Sequence, residues 1–332
     1  MTPDRLFFGR IALRAWLACL LLTVTAAAYA DLSEAQPANS ASDAPYTCVT
    51  VPPDTARAAE LGAAQWDKNK LGCAADIWFA AAEGAPSDAS LTLHALLAAT
   101  AYVDHLNTLW NYDVYNIHEI EWSARIERAV DHGKALEARL AAHPVDDPSL
   151  LAALALYKLT WPAKTADTKV QIKESRAAIP LLEKAVALDP KALDGNALWV
   201  LGRVYYDLPE FAGGDQAKGL KLLADAHRNT PKNISLLRYT AHVYVDERDI
   251  PAAKERLTEL LPIRPEAGEL QLMADELKSG HELADRLNDS ALAKRLSAKR
   301  EALLKANPQL LRRQNTAANL HGGVDPITGK DY

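Results

Sequence analysis

NALWVLGRVYYDLPEFAGGDQAKGLKLLADAHRNTP, residues 196–231, sets two apolar runs with helical spacing on either side of a segment that no helix can pass through, DLPEFAGGDQAKG (207–219). Pro209 pushes Leu208 out of the helical region and stops the first run. Gly213 and Gly214 permit positive φ, and Asp215 is placed to accept hydrogen bonds from the free N–H groups that open the second run. Phe211, one of two phenylalanines after residue 30, is expected to tuck back onto the helices as an anchor. Pro209, Phe211, Gly213, Gly214 and Asp215 thus read as a structural turn joining two helices. A phosphate cradle needs glycines at nucleotide-motif spacing, a strand before them and a Lys or Ser/Thr just after; here a helix precedes the glycines and an acid follows them.

The same hairpin recurs along the chain. Pro86, Pro190, Pro231 and Pro265 each close an apolar run, with a small residue twelve positions earlier (Ala74, Ala178, Gly219, Ala253). Eight positions earlier stands a large apolar residue (Trp78, Leu182, Leu223, Leu257), and five earlier an Ala or Leu (Ala81, Ala185, Ala226, Leu260). Spacings of four and then three residues put these positions on one helical face, where the small residue admits a neighbouring helix and the large one fills the gap. The preceding helix leaves its own trace, Leu61-Gly62, Leu201-Gly202 with Tyr205, and Ala241 with Tyr244. Gly62 to Ala74 and Ala241 to Ala253 span twelve positions, whereas Gly202 to Gly219 spans seventeen. The opening turn therefore carries a five-residue insertion.

This pattern resembles the tetratricopeptide repeat, and the expected fold class is an all-α, tetratricopeptide-like helical-hairpin solenoid. Abundant Ala and Leu beside sparse Val, Ile and Phe agree with helix over strand. The resemblance is fullest over 191–265, good over 55–86 and partial over 177–190. Between these lie helical stretches at 91–110, 119–142 and 149–159. After Pro265, 266–287 and 290–306 read as closing helices with a polar outer face.

The ends of the chain carry other signals. Residues 1–30 hold Arg5, Arg10 and Arg14, then an uncharged apolar run and small residues at Ala28 and Ala30, which reads as a signal peptide cleaved after Ala30. Lipidation at Cys19 fits poorly, because Trp16 stands three before it and nearly all of the apolar run follows it. The expected organisation is a signal peptide (1–30), a flexible linker (31–47), a helical-repeat domain (48–307) and a loosely held tail (308–332), located in the periplasm without a membrane span. The chain's net charge of −6 becomes −8 once three Arg and one Asp leave with residues 1–30, which argues against a nucleic-acid partner. Cys48 and Cys73 form an even pair in an oxidising compartment and predict a disulfide, with two free thiols as the alternative.

No nucleophile elbow, metalloprotease helix, Cys-x-x-Cys or dinucleotide fingerprint occurs. No catalytic residue, cofactor or metal site is therefore expected; His94 and His105 stand about three helical turns apart, too far to share a metal. Two candidate binding surfaces remain. Trp110, Tyr112, Tyr115 and Trp122 lie among asparagines, a combination that suits an organic-ligand pocket, or alternatively a packed helix corner. Groove positions of the repeat select Asn196, Trp199, Arg203, Tyr206 and Asp207 in one unit and Ser235, Arg238, His242 and Asp246 in the next, a recognition-like mixture.

The segment LPEFAGGDQAKGLKLLADA (208–226) is similar to the Leu-Pro-x-Phe-x-Gly-Gly-Asp turn of the TRAP transporter T-component (TatT) family. That resemblance implies a non-enzymatic periplasmic protein that associates with a periplasmic solute-binding protein, handles a small organic ligand and forms a homotrimer. Members are commonly lipoproteins, and this chain departs from them in lacking a convincing lipobox. The alternatives are a general envelope scaffold for other proteins and a helical-repeat lyase or glycan-acting enzyme using acids such as Asp113 and Glu119.

Overall fold

Asp and Asn residues decide where most of the helices start. In the computed structural model, which describes residues 48–64, 67–112, 119–162 and 167–310, the side chains of Asp54, Asp67, Asp147, Asp167, Asp215, Asn233, Asp249 and Asp289 each accept a backbone N–H from the turn that follows. Each cap satisfies a donor that the helix leaves free and contributes about 1 kcal/mol. The helices are α1 (Thr55–Gly62), α2 (Lys68–Gly84), α3 (Ala89–Tyr112), α4 (Glu119–Ala142), α5 (Pro148–Thr160), α6 (Thr168–Leu188), α7 (Asn196–Asp207), α8 (Gln216–Asn229), α9 (Ile234–Asp246), α10 (Ile250–Glu259), α11 (Leu270–Arg286) and α12 (Ser290–Ala306). No strand occurs among the described residues, and no described helix is long and apolar enough to cross a membrane. The expected leader, the linker and the tail beyond Leu310 lie outside the described residues.

Packing runs from each helix to its neighbours in sequence, so that α1/α2, α3/α4, α5/α6, α7/α8, α9/α10 and α11/α12 form successive hairpins. First helices also meet, α3 on α5 and α9 on α11. All twelve positions of the repeat template are buried, from Ala74, Trp78 and Ala81 in α2 to Ala253, Leu257 and Leu260 at the end of α10. Of the two closing helices, α11 is buried along a full face that includes Leu272, Met273, Leu277 and Leu283. The polar outer face falls on α12, whose buried residues are Leu292, Ala293 and Leu296.

At the centre, α7 and α8 cross almost backbone to backbone. A methyl group on Gly219 would lie 2.8 Å from the Gly202 carbonyl oxygen and 2.7 Å from the Tyr206 nitrogen. One on Gly202 would lie 3.0 Å from the Leu223 nitrogen. These contacts are with main chain, which cannot step aside as a side chain can.

The turn between these helices keeps the clasp of its shorter counterparts. In the α9–α10 turn the Asp249 N–H donates to the Tyr244 carbonyl (2.8 Å), and in the α11–α12 turn the Asp289 N–H donates to the Ala284 carbonyl (3.0 Å). Each bond spans five positions. In the α7–α8 turn the Asp215 N–H donates to the Tyr205 carbonyl (2.9 Å), ten positions back. The five extra residues are looped out of an otherwise preserved closure, as a single 3₁₀ turn over Glu210–Ala212.

Two expectations about this loop are corrected. Phe211 is not an anchor; it is 80 % exposed, and the residue turned inward is Ala212, because the 3₁₀ turn after Pro209 points its third position at the helices. Gly213 does take positive φ (96°), but Gly214 does not. Gly214 is required for space, since a Cβ there would lie 1.8 Å from the Leu208 carbonyl oxygen.

Cys48 and Cys73 meet as a disulfide, with their Cα atoms 5.5 Å apart, tying the start of the described chain to α2. Between α2 and α4, Arg128 donates to Asp76 (2.7 Å), and His132 stacks flat on Phe79 with centroids 4.0 Å apart. Burial, reinforced by Arg128, lowers the His132 pKa to about 4; burial, partly offset by Arg128, raises that of Asp76 to about 6. The signs oppose. His132 contributes stability that is present above its unfolded pKa of about 6.5 and lost as pH falls towards 4, whereas Asp76 contributes stability that is lost as pH rises through 6.

Two outcomes follow. Gly219→Val should cost about 3 kcal/mol or more in urea unfolding, while deletion of residues 209–213 should leave helical circular dichroism intact and cost less than about 1 kcal/mol. His132→Phe, which keeps the stack, should lose less stability than the parent between pH 7 and 4.5, by about 2 kcal/mol.

Candidate functional site

The groove positions of α7 and α9 come together, and α11 joins them. Helical spacing lines up Asn196, Trp199, Arg203 and Tyr206 along one face of α7, and packing of α9 on α11 brings Arg238 against Glu276. Asn196 accepts from the Trp199 indole N–H (2.7 Å) and from the Asn233 side chain (3.0 Å). Arg203 Nε donates to Asp207 Oδ2 (3.0 Å), and the Tyr239 hydroxyl donates to Asp207 Oδ1 (2.7 Å), so one carboxylate links the two helices. The Arg203 guanidinium lies over the Tyr239 ring at 4.9 Å. The Tyr206 hydroxyl donates to Glu247 Oε1 (2.8 Å), and Arg238 Nε donates to Glu276 Oε2 (2.6 Å).

Most of this cluster is inside the protein. Trp199, Arg203, Tyr206, Ser235, Arg238 and Tyr239 are buried, and Glu276 is 2 % exposed. Solvent reaches Asp207, half-exposed His242, and Asp246, whose side chain is 53 % exposed. The candidate face is thus an accessible rim over a buried floor of polar groups.

Burial raises the pKa of Tyr239 and of Tyr206, and the carboxylates of Asp207 and Glu247 that accept from them add to it. Both therefore act as fixed hydrogen-bond donors at neutral pH. Burial also raises Glu276, opposed by the Arg238 charge and hydrogen bond. On α11, Glu276 Oε1 and Gln271 Oε1 are buried with no donor among the described residues. A buried acceptor so placed favours a group that brings an N–H or O–H.

Four members of the cluster, Asn233, Tyr239, Glu247 and Glu276, were missed in the sequence. Tyr239 is not at a groove position of the template, and Asn233 and Glu247 are the caps at the two ends of α9, outside it. Glu276 left a signal: it interrupts an apolar stripe of Leu272, Met273, Leu277 and Gly280 on α11, a place that a carboxylate occupies only when paired.

The aromatic segment is a different matter. Trp110 and Tyr112 stand in the last turn of α3 and Trp122 in the first turn of α4, but their side chains, and all of Tyr115 and Asp113, lie outside the described residues. The nearby His105 and Asn107 of α3 are buried, and Asn107 donates to the Thr160 carbonyl at 3.5 Å. His94 stacks on Trp78 with ring centroids 4.5 Å apart. No group of three or more His, Cys, Asp or Glu is placed to hold a metal among the described residues.

Neither a protein-family model nor a curated protein matches this chain.

The Arg238–Glu276 pair can be tested as a unit. Arg238→Met should destabilise by about 3–5 kcal/mol, because it leaves a buried carboxylate alone, and adding Glu276→Leu should restore most of that loss in urea unfolding.

Proposed function

We propose that the chain is a non-enzymatic binding protein of tetratricopeptide type, exported to the periplasm, that associates with a solute-binding protein of a TRAP-type transporter. The observation that carries the binding reading is the α7–α9–α11 groove. Its floor holds two guanidiniums and two protonated tyrosines in fixed positions, and its rim offers Asp207, His242 and Asp246. Arg203 and Tyr239 hold the Asp207 carboxylate in place, so the rim is presented with little further ordering cost on binding.

Location and partner rest on two supports. The export reading rests on residues 1–30, and the paired Cys48 and Cys73 suit an oxidising compartment. The transporter reading rests on the likeness of the 208–226 turn to the T-component family.

Phe211 gives this reading an accessible handle. An aromatic ring 80 % exposed on a loop closed by the Tyr205–Asp215 hydrogen bond is a rigid anchor of the kind that dominates protein interfaces. Glu210 and Asp215 flank it, so the partner surface is an apolar pocket with a basic rim. A small organic ligand belongs to the same proposal.

Calorimetry with the TRAP-type periplasmic solute-binding protein of the same cell should show binding, weakened about tenfold or more by Phe211→Ala with an unchanged melting temperature. Absence of binding by the unaltered protein would overturn the transporter reading; binding untouched by Phe211→Ala would remove the loop from the interface.

A further inference from the structure

Away from that groove, a trench of about 400 Å³ opens between α4, α5 and α6. Leu140, Val145, Leu151, Leu154, Pro180 and Leu181 form its apolar wall. Val145 is among the few large apolar side chains that the described residues leave exposed, so this wall meets water where the trench opens. The volume lies in the range of small-molecule sites, and an apolar wall with a few polar groups is their usual lining.

Three charged side chains line the trench, Glu137, Lys158 and Lys184, so the lining is net positive. The first two cancel. Lys158, largely buried, donates to Glu137 within the lining and to Glu174 Oε2 (2.9 Å) outside it. Burial alone would lower the Lys158 pKa, and the two carboxylates outweigh it and raise it, so the ammonium keeps its charge and its partners.

Lys184 is the cation left over in the lining. It stands at the mouth and pairs with Asp146, which does not line the trench. Both side chains are well exposed, 51 % for Lys184 and 74 % for Asp146. An exposed pair of this kind is worth at most about 1 kcal/mol, so a second carboxylate can replace Asp146 at little cost. It can also join it, because an ammonium has three N–H donors and Asp146 accepts one of them. A carboxylate held on Lys184 keeps its charge in water while the chain attached to it covers the apolar wall. An ammonium head would meet a like charge there.

We propose that this trench binds a small anionic amphiphile, a fatty-acid-like carboxylate whose apolar chain lies along Leu140, Leu154 and Leu181 and whose head rests on Lys184. The site is separate from the partner-binding groove and does not depend on that reading.

Octanoate, octanol and octylamine, matched in chain length, separate the contributions when titrated into the full chain at pH 7 by calorimetry. Octanoate should bind one per chain, about two- to fivefold more tightly than octanol, with octylamine weakest. Lys184→Gln should remove the advantage of octanoate over octanol. Asp146→Asn, which takes away the competing carboxylate, should tighten octanoate about twofold and leave octanol unchanged. Ala177→Phe, which fills the trench, should weaken all three probes. Octylamine binding as tightly as octanoate, an octanoate preference that survives Lys184→Gln, or no binding of any probe would each overturn the proposal. Unchanged circular dichroism and melting temperature of the three variants separate loss of the site from loss of the fold.

Discussion

The crossing of α7 and α8 at Gly202 and Gly219 sets the spacing on which the neighbouring units depend. With no Cβ on either residue, the two backbones approach closely enough that the Gly202 carbonyl occupies the space a side chain at 219 would need. That approach buries Tyr205 and Tyr206 on one side and Leu223 and Ala226 on the other. It also fixes α7 as a platform, and the polar floor of the groove is built on that platform. Elsewhere the same slot is filled by Ala74, Ala178 and Ala253, all buried. The central hairpin is the version of this arrangement that has glycine in the slot on both helices.

The inserted loop shows how a repeat tolerates extra residues. The clasp from the N-cap Asp to the carbonyl three positions after the small residue is kept at Tyr205–Asp215 as at Tyr244–Asp249. Lengthening a surface loop adds little closure entropy once its ends are pinned. The added segment can then carry an exposed ring, Phe211, that the helices do not need for stability.

Much of the fold was legible because its determinants are local. Caps, closing prolines and small-residue slots lie within one hairpin, and the stretches read as 91–110, 119–142 and 149–159 correspond to α3, α4 and α5 within a few residues. The enlarged turn was found by counting positions. The orientation of Phe211 was not, because it depends on which way a 3₁₀ turn faces, and an aromatic residue gives no local clue to that. The groove was half legible. Template positions named Arg203, Arg238 and Tyr206, but their burial and their partners Glu247 and Glu276 come from helices 38 or more residues away in sequence. Long-range pairing of that kind leaves no periodic trace, except where a carboxylate such as Glu276 breaks an apolar stripe.

The central claim is that the 209–213 segment is looped out of a closure shared with the shorter turns. Residue-resolved amide hydrogen exchange on the full-length protein reads this directly. The Asp215 and Asp249 amides, each bonded to the carbonyl of a tyrosine in the preceding helix, should be protected to within about tenfold of each other, with Phe211 exchanging at least about a hundredfold faster. An Asp215 amide that exchanges as fast as Phe211 would contradict the account, because the clasp would then be open and the turn a free loop.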